Sequence, residues 1–171
     1  MWNLHPIIVH FPIALLTFYV GIEIASLHPK LRNNKTVYYI KLVLLLAGTL
    51  GTIAGIVSGE AAQELVGKST LVHTHEQFAE MTRNVFLLLS IIYIAKLYTY
   101  EKQAAVAKAL PPFLQNIFTA IAKYAAKFFV PQILAVIGLF VVTVTWALGG
   151  AMVYGKTADP IVKRAVDTFV K

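Results

Sequence analysis

The sequence predicts an all-α integral membrane protein: a four-helix bundle with an additional interfacial amphipathic helix between helices three and four. One domain is expected over residues 1–171. Three observations lead there. Hydrophobic residues make up 58% of the chain and charged residues only 13%, and the mean hydropathy of +0.70 lies far from that of a soluble domain. The apolar residues gather into four runs, each long enough to cross about 30 Å of hydrocarbon at roughly 1.5 Å of rise per residue. The basic residues lie mostly between those runs.

The first span covers about residues 7–27. It has neither a basic leader nor a small-residue cleavage site, so it is expected to be retained as a helix and not removed as a signal peptide. The second covers about 37–58. The third, about 84–100, is the shortest and carries Lys96 towards its end. After Pro111-Pro112, the stretch 113–127 sets Gln115, Thr119, Lys123 and Lys127 in an i, i+4 row, with Phe113, Leu114, Ile117, Phe118 and Ile121 opposite. That is the pattern of a helix lying in the headgroup plane, or of one packed on a partner subunit. The fourth span covers about 128–154, with Gly149-Gly150 near its end and Tyr154 as an interfacial anchor.

Charge sets the orientation. The net charge of +7 does not mark a nucleic-acid binder here, because the cations sit in the connections between apolar runs. Lys30, Arg32 and Lys35 occupy the first connection without an acid. Lys102, Lys108, Lys123 and Lys127 face Glu101 alone in the third. The 59–83 connection instead holds Glu60, Glu64, Glu76 and Glu80 against Lys68 and Arg83. The positive-inside rule then puts the first and third connections in the cytoplasm and both termini outside.

Four of the five histidines gather at the outer end of this arrangement. His5 and His10 flank the start of helix one, and His73 and His75 precede helix three. Helices one and three run parallel, so His10 and His75 come level. Two imidazoles at one depth on separate helices suit the axial ligands of haem b, a flat apolar macrocycle that slides between helices. Lys68 and Arg83 are the candidate partners of its propionates. His5 and His73 are the secondary candidates, as ligands of a second haem, as propionate contacts or as water-facing residues. The residues leave two other readings open: a divalent metal such as zinc, bound with help from Glu76 or Glu80, and histidines that only hydrogen-bond in a structural subunit.

Gly48, Gly51, Gly55 and Gly59 put small residues on nearly one face of helix two. They either let a neighbouring helix approach closely or, at Gly51 and Gly55, clear room for a porphyrin face. Pro12 kinks helix one near His10. Glu23, costly in hydrocarbon unless paired or protonated, reads as lying near the cytoplasmic surface, and His28 as an exposed loop residue. The chain has no cysteine, which excludes disulfides, covalently attached haem, cysteine-ligated iron–sulfur clusters and thiol nucleophiles. It also lacks phosphate loops, nucleophile elbows and His-Glu-x-x-His; after His75-Glu76, position 79 is alanine.

The opening His5-Pro6-Ile7-Ile8-Val9-His10-Phe11-Pro12 resembles the His-Pro-x-x-Val-His-Phe-Pro signature of a bacterial membrane family, the domain-of-unknown-function family numbered 2231. The glycine-rich helix two, His75-Glu76 and the closing Gly149-Gly150-Ala151-Met152-Val153-Tyr154 agree in order, while the 101–127 connection is longer than the family's usual loop. Some relatives are fused to, or encoded beside, Rieske-type or cytochrome components. The resemblance therefore implies electron transfer in a bacterial cytoplasmic membrane, with His10 and His75 as carried-over ligand candidates and His5 next. The expected protein is a bis-histidine haem b subunit near the periplasmic face. It relays electrons between quinone or another haem and a periplasmic carrier, within the lipid bilayer and in a homo- or hetero-oligomer. Two axial histidines leave no open coordination position, which favours electron relay over oxygen chemistry.

Overall fold

A computed structural model describes residues 4–101, 109–127 and 129–170, and among these residues four long helices and three shorter ones occur. Lys102, Lys108 and Phe128 lie outside the described residues, as do the side chains of Glu64 and Lys127. The elements are α1 (His5–Ala25), the single-turn α2 (Pro29–Arg32), α3 (Lys35–Val66), α4 (Thr70–Tyr100), α5 (Pro112–Lys127), α6 (Val130–Tyr154) and α7 (Pro160–Phe169). Helices α1, α3, α4 and α6 are long and apolar enough to cross a membrane, and no strand occurs among the described residues.

Two of the spans outrun their apolar segments. The second was expected to stop near residue 58, but α3 continues to Val66. It ends where Gly67 takes φ +81°, a left-handed conformation that costs glycine nothing. The third was expected to begin near residue 84, but α4 starts at Thr70. Ser69 caps it by accepting from the Val72 amide at 3.2 Å. His73 and His75 are therefore helical residues, not loop residues ahead of the helix. The fourth span begins at Val130, behind a left-handed Phe129 and with Pro131 in its first turn. The C-terminal α7 was not expected. Asp159 caps it through the amides of Ile161 (2.7 Å) and Val162 (3.0 Å), and Val162, Ala165, Val166 and Phe169 turn inward. That face packs on α6 and on Leu71 and Phe78 of α4.

The bundle core is apolar and aromatic. Leu16 and Tyr19 of α1, Leu42 and Leu45 of α3, Phe86, Leu89 and Tyr93 of α4, and Ala135 and Val142 of α6 are all buried. Large apolar side chains also cover the outside, among them Phe11, Phe18, Leu50, Val57, Ile133 and Phe140. A helix apolar on both its inner and outer faces belongs in lipid. α1 packs chiefly along α3, and α4 along α6, with α3–α4 and α1–α6 contacts completing the bundle.

The α1–α3 contact explains the glycine stripe. A Cβ at Gly48 would lie 2.6 Å from Leu16, one at Gly51 would lie 2.9 Å from Pro12, and one at Gly55 would lie 3.4 Å from Val9. These glycines bring the two backbones together, as small residues do between membrane helices. Gly51→Ala presses a methyl group against a proline ring held in a helix, and the expected cost is about 1–3 kcal/mol. Gly21→Ala is the control, since nothing lies within 4 Å of the added atom. Thermal unfolding in detergent should show a lower midpoint for the first variant and an unchanged or higher one for the second.

The connections that follow α1 and α4 emerge at the same end. There Lys35 pairs with Glu101 at 2.8 Å, and the Tyr39 hydroxyl donates to the same carboxylate at 2.6 Å. The Lys35 ammonium, followed by that hydroxyl, holds the Glu101 carboxyl below its ordinary range. α5 packs against the last turn of α4: the Tyr98 hydroxyl donates to Gln115 Oε1 at 3.1 Å, and Phe118 lies against the Tyr98 ring. Gln115 thus leaves the outward polar row expected of it, while Thr119 and Lys123 are exposed.

Candidate functional site: a histidine-lined chamber

At the other end of the bundle a chamber of about 610 Å³ opens between α1, α3, α4 and α6. Its deep walls are apolar, from Val9, Pro12, Leu16 and Val142. His5, His10, His75 and Thr145 face into it, and Glu60, Glu76, Glu80 and Tyr154 contribute nearer its mouth.

The sequence builds the two facing imidazoles in the same way. His5 opens α1, where Pro6 needs no amide partner. Its Nδ1 lies 2.9 Å from Ser58 Oγ on α3, and that hydroxyl gives its own proton to the Gly55 carbonyl at 2.9 Å. The hydroxyl and the imidazole share this contact, which ties the His5 ring to α3. On α4, His75 Nδ1 lies 3.0 Å from the carbonyl of Thr145, an acceptor only, so His75 donates through Nδ1. In the neutral His75 ring the lone pair then resides on Nε2.

Glycine seats both rings. A Cβ at Gly59 would come within 3.2 Å of His5 Cε1, and one at Gly149 within 3.3 Å of His75 Cε1. Gly149 leaves the helix surface bare beside the Thr145 carbonyl, which is how an imidazole from another helix reaches it. The two rings face each other with centroids 6.4 Å apart and planes at 86°. Behind them the Thr82 and Thr145 hydroxyls lie 3.0 Å apart.

The residues singled out in the sequence thus fall into different places. His5 and His75 come together. His10 lines the same chamber but is largely exposed, and its Nδ1 donates to the Pro6 carbonyl of its own helix. His73 is exposed and absent from the chamber wall, because two residues along a helix turn a side chain by about 200°. Lys68 is exposed in the α3–α4 turn. Arg83 donates through Nε to Asn84 Oδ1 at 3.2 Å, and neither cation lines the chamber. Gly55 lies on the chamber wall, whereas Gly51 is occupied by Pro12. Sequence reasoning missed Ser58 and Thr145. Their acceptor atoms meet a histidine only through the packing, and nothing in the local sequence marks them. Among the described residues, no group of three or more His, Cys, Asp or Glu side chains is placed to hold a metal ion.

Four apolar spans around a histidine-lined chamber define a multi-pass membrane protein. The chain belongs to the family described as predicted membrane protein (DUF2231), whose model matches residues 2–159. That stretch takes in all four spans and ends just before α7. No curated protein matches the chain, and no solved structure does.

Proposed function

We propose that the chamber binds haem b with His5 and His75 as its axial ligands, and that the protein is an electron-transfer subunit of a bacterial cytoplasmic membrane. One observation carries the reading: two imidazoles from different spans, each fixed through Nδ1, face each other with centroids 6.4 Å apart. An ion held about 2 Å from a nitrogen of each ring would separate those nitrogens by about 4 Å and the centroids by about 6 Å. The volume lies within the roughly 300–1,000 Å³ usual for a buried ligand, and the deep walls are apolar. Haem would supply one-electron transfer there.

The chain's own residues do the rest. Ser58 and the Thr145 carbonyl hold the imidazoles in orientation, the carbonyl also fixing the His75 tautomer, and such partners raise ligand basicity. The apolar walls exclude water from the centre. Lys68 and Arg83 lie off the wall, so propionates would depend on water at the mouth and not on these cations. The basic connections at the opposite end favour a periplasmic chamber under the positive-inside rule, where a periplasmic carrier would reach it and quinone or another haem would complete the relay.

Ser58→Ala is expected to weaken haem binding about 10–100-fold by releasing the His5 ring, as loss of an outer-shell partner does. Titrating haem into the delipidated protein measures it, and an unchanged affinity would remove the proposed anchor.

A further inference from the structure

A second polar cluster lies at the end of the bundle away from the chamber. Glu23 of α1, expected near the surface, is fully buried. One of its oxygens accepts from Gln132 Nε2 of α6 at 2.6 Å. The other accepts from the Tyr93 hydroxyl of α4 and pairs with Lys41 Nζ of α3 at 3.0 Å. All four spanning helices meet on this carboxylate, and Lys41 neutralises it.

Lys96 is left over. It sits three residues beyond Tyr93, half-buried on a spanning helix, with Nζ 5.4 Å from the Tyr93 ring centre. Lys41 Nζ lies 5.6 Å from the same ring. The described residues give Lys96 no ion pair. Glu23, Lys41 and Arg32 all lie within electrostatic range of it. Arg32, exposed at the end of α2, rests over the Phe129 ring at 5.4 Å, which steadies its guanidinium. Lys41 is matched by Glu23, and the positive charges of Lys96 and Arg32, within electrostatic range of each other, remain. The nearby Lys35–Glu101 pair is internally balanced and supplies no anion.

Lys96, half-buried on a spanning helix, is costly without a counter-ion, and the Arg32 guanidinium within electrostatic range of it cannot shed its proton. We propose that Lys96 and Arg32 bind the phosphate of an anionic phospholipid in the leaflet on this side. A phosphate diester supplies the missing negative charge and oxygens for both cations. Phe129 and Ile133, exposed and apolar, continue along α6 from the ring beneath Arg32 and offer a track for the acyl chains. A free phosphate shares the headgroup chemistry but gains nothing from that track.

The test uses the full chain, stripped of lipid in an uncharged detergent, and follows its unfolding temperature. Short-chain phosphatidylglycerol should raise the midpoint saturably, and short-chain phosphatidylcholine should not. Lys96→Gln and Arg32→Gln should each weaken the half-saturating concentration by roughly fivefold. Lys96→Arg should keep the effect, as should Lys163→Gln in α7 at the far end. An equal rise with phosphatidylcholine, or an unchanged response in both glutamine variants, overturns the site. An equal rise with inorganic phosphate at the same concentration overturns the lipid as its source. Neither readout involves haem, so failure here is distinct from failure of the chamber assignment.

Discussion

With His75 as a haem ligand, as proposed, the His75→Ala protein is expected to purify without haem. His75 is the imidazole held from outside its own helix by a backbone carbonyl, and alanine removes both the donor to Thr145 and the nitrogen facing the chamber. Loss of an anchoring partner alone costs about 10–100-fold in affinity, and loss of the ligand itself should cost more than the upper end of that range. Haem content after purification, read from the Soret absorbance per chain, measures it. His5→Ala should behave alike. His10→Ala should keep most of its haem, because that ring is tied to its own helix at Pro6 and lies near the chamber's exposed edge. His28→Ala should match the unmodified protein, since His28 caps α2 at the opposite end. Full retention in His75→Ala contradicts the assignment. Loss in His10→Ala together with retention in His5→Ala transfers the second axial position to His10.

Glu23→Ala should destabilise the bundle more than any single apolar truncation of comparable size. The substitution leaves Lys41 buried with no anion, and the Tyr93 hydroxyl and Gln132 amide without their acceptor. Breaking a buried pair from one side costs about 3–5 kcal/mol, most of it the uncompensated charge. For a chain of this size that corresponds to a fall on the order of 10 °C in unfolding midpoint. Glu23→Gln with Lys41→Gln removes both charges and should recover much of the loss. A single variant within about 1 kcal/mol of the parent would show that the four-helix junction does not depend on this carboxylate.

The fold was legible where its signal is solvent-independent. Four apolar runs of spanning length give four helices in order, and the Pro112-initiated amphipathic stretch gives α5 within a residue. What hydropathy could not give is where a helix continues past the hydrocarbon. Residues 59–66 and 70–83 are mixed polar sequence, yet Ser69 caps one helix and Gly67 ends the other, both legible capping signals. α7 went unread, although Asp159-Pro160 followed by Val162, Ala165, Val166 and Phe169 carries the signal of a capped helix with one apolar face.

The site was legible as a cluster, not as a pair. Depth along a helix follows from residue counting, so the gathering of His5, His10 and His75 at one end could be foreseen. Which of His5 and His10 faces His75 depends on the rotation of α1. That rotation is set by Pro12 against Gly51 and Val9 against Gly55, a contact between helices that no single segment encodes. Glu23 and Lys41 raise the same problem. Each looks expensive alone, and only the packing of α1 on α3 shows that they meet.

The central claim stands on colour. A reduced-minus-oxidised visible spectrum of the detergent-purified chain, expressed with ample haem supply, tests it most directly. The account predicts the sharp α and Soret bands of a low-spin b haem, at about one haem per chain. A protein that is colourless as purified, and stays colourless when haem is added, contradicts it.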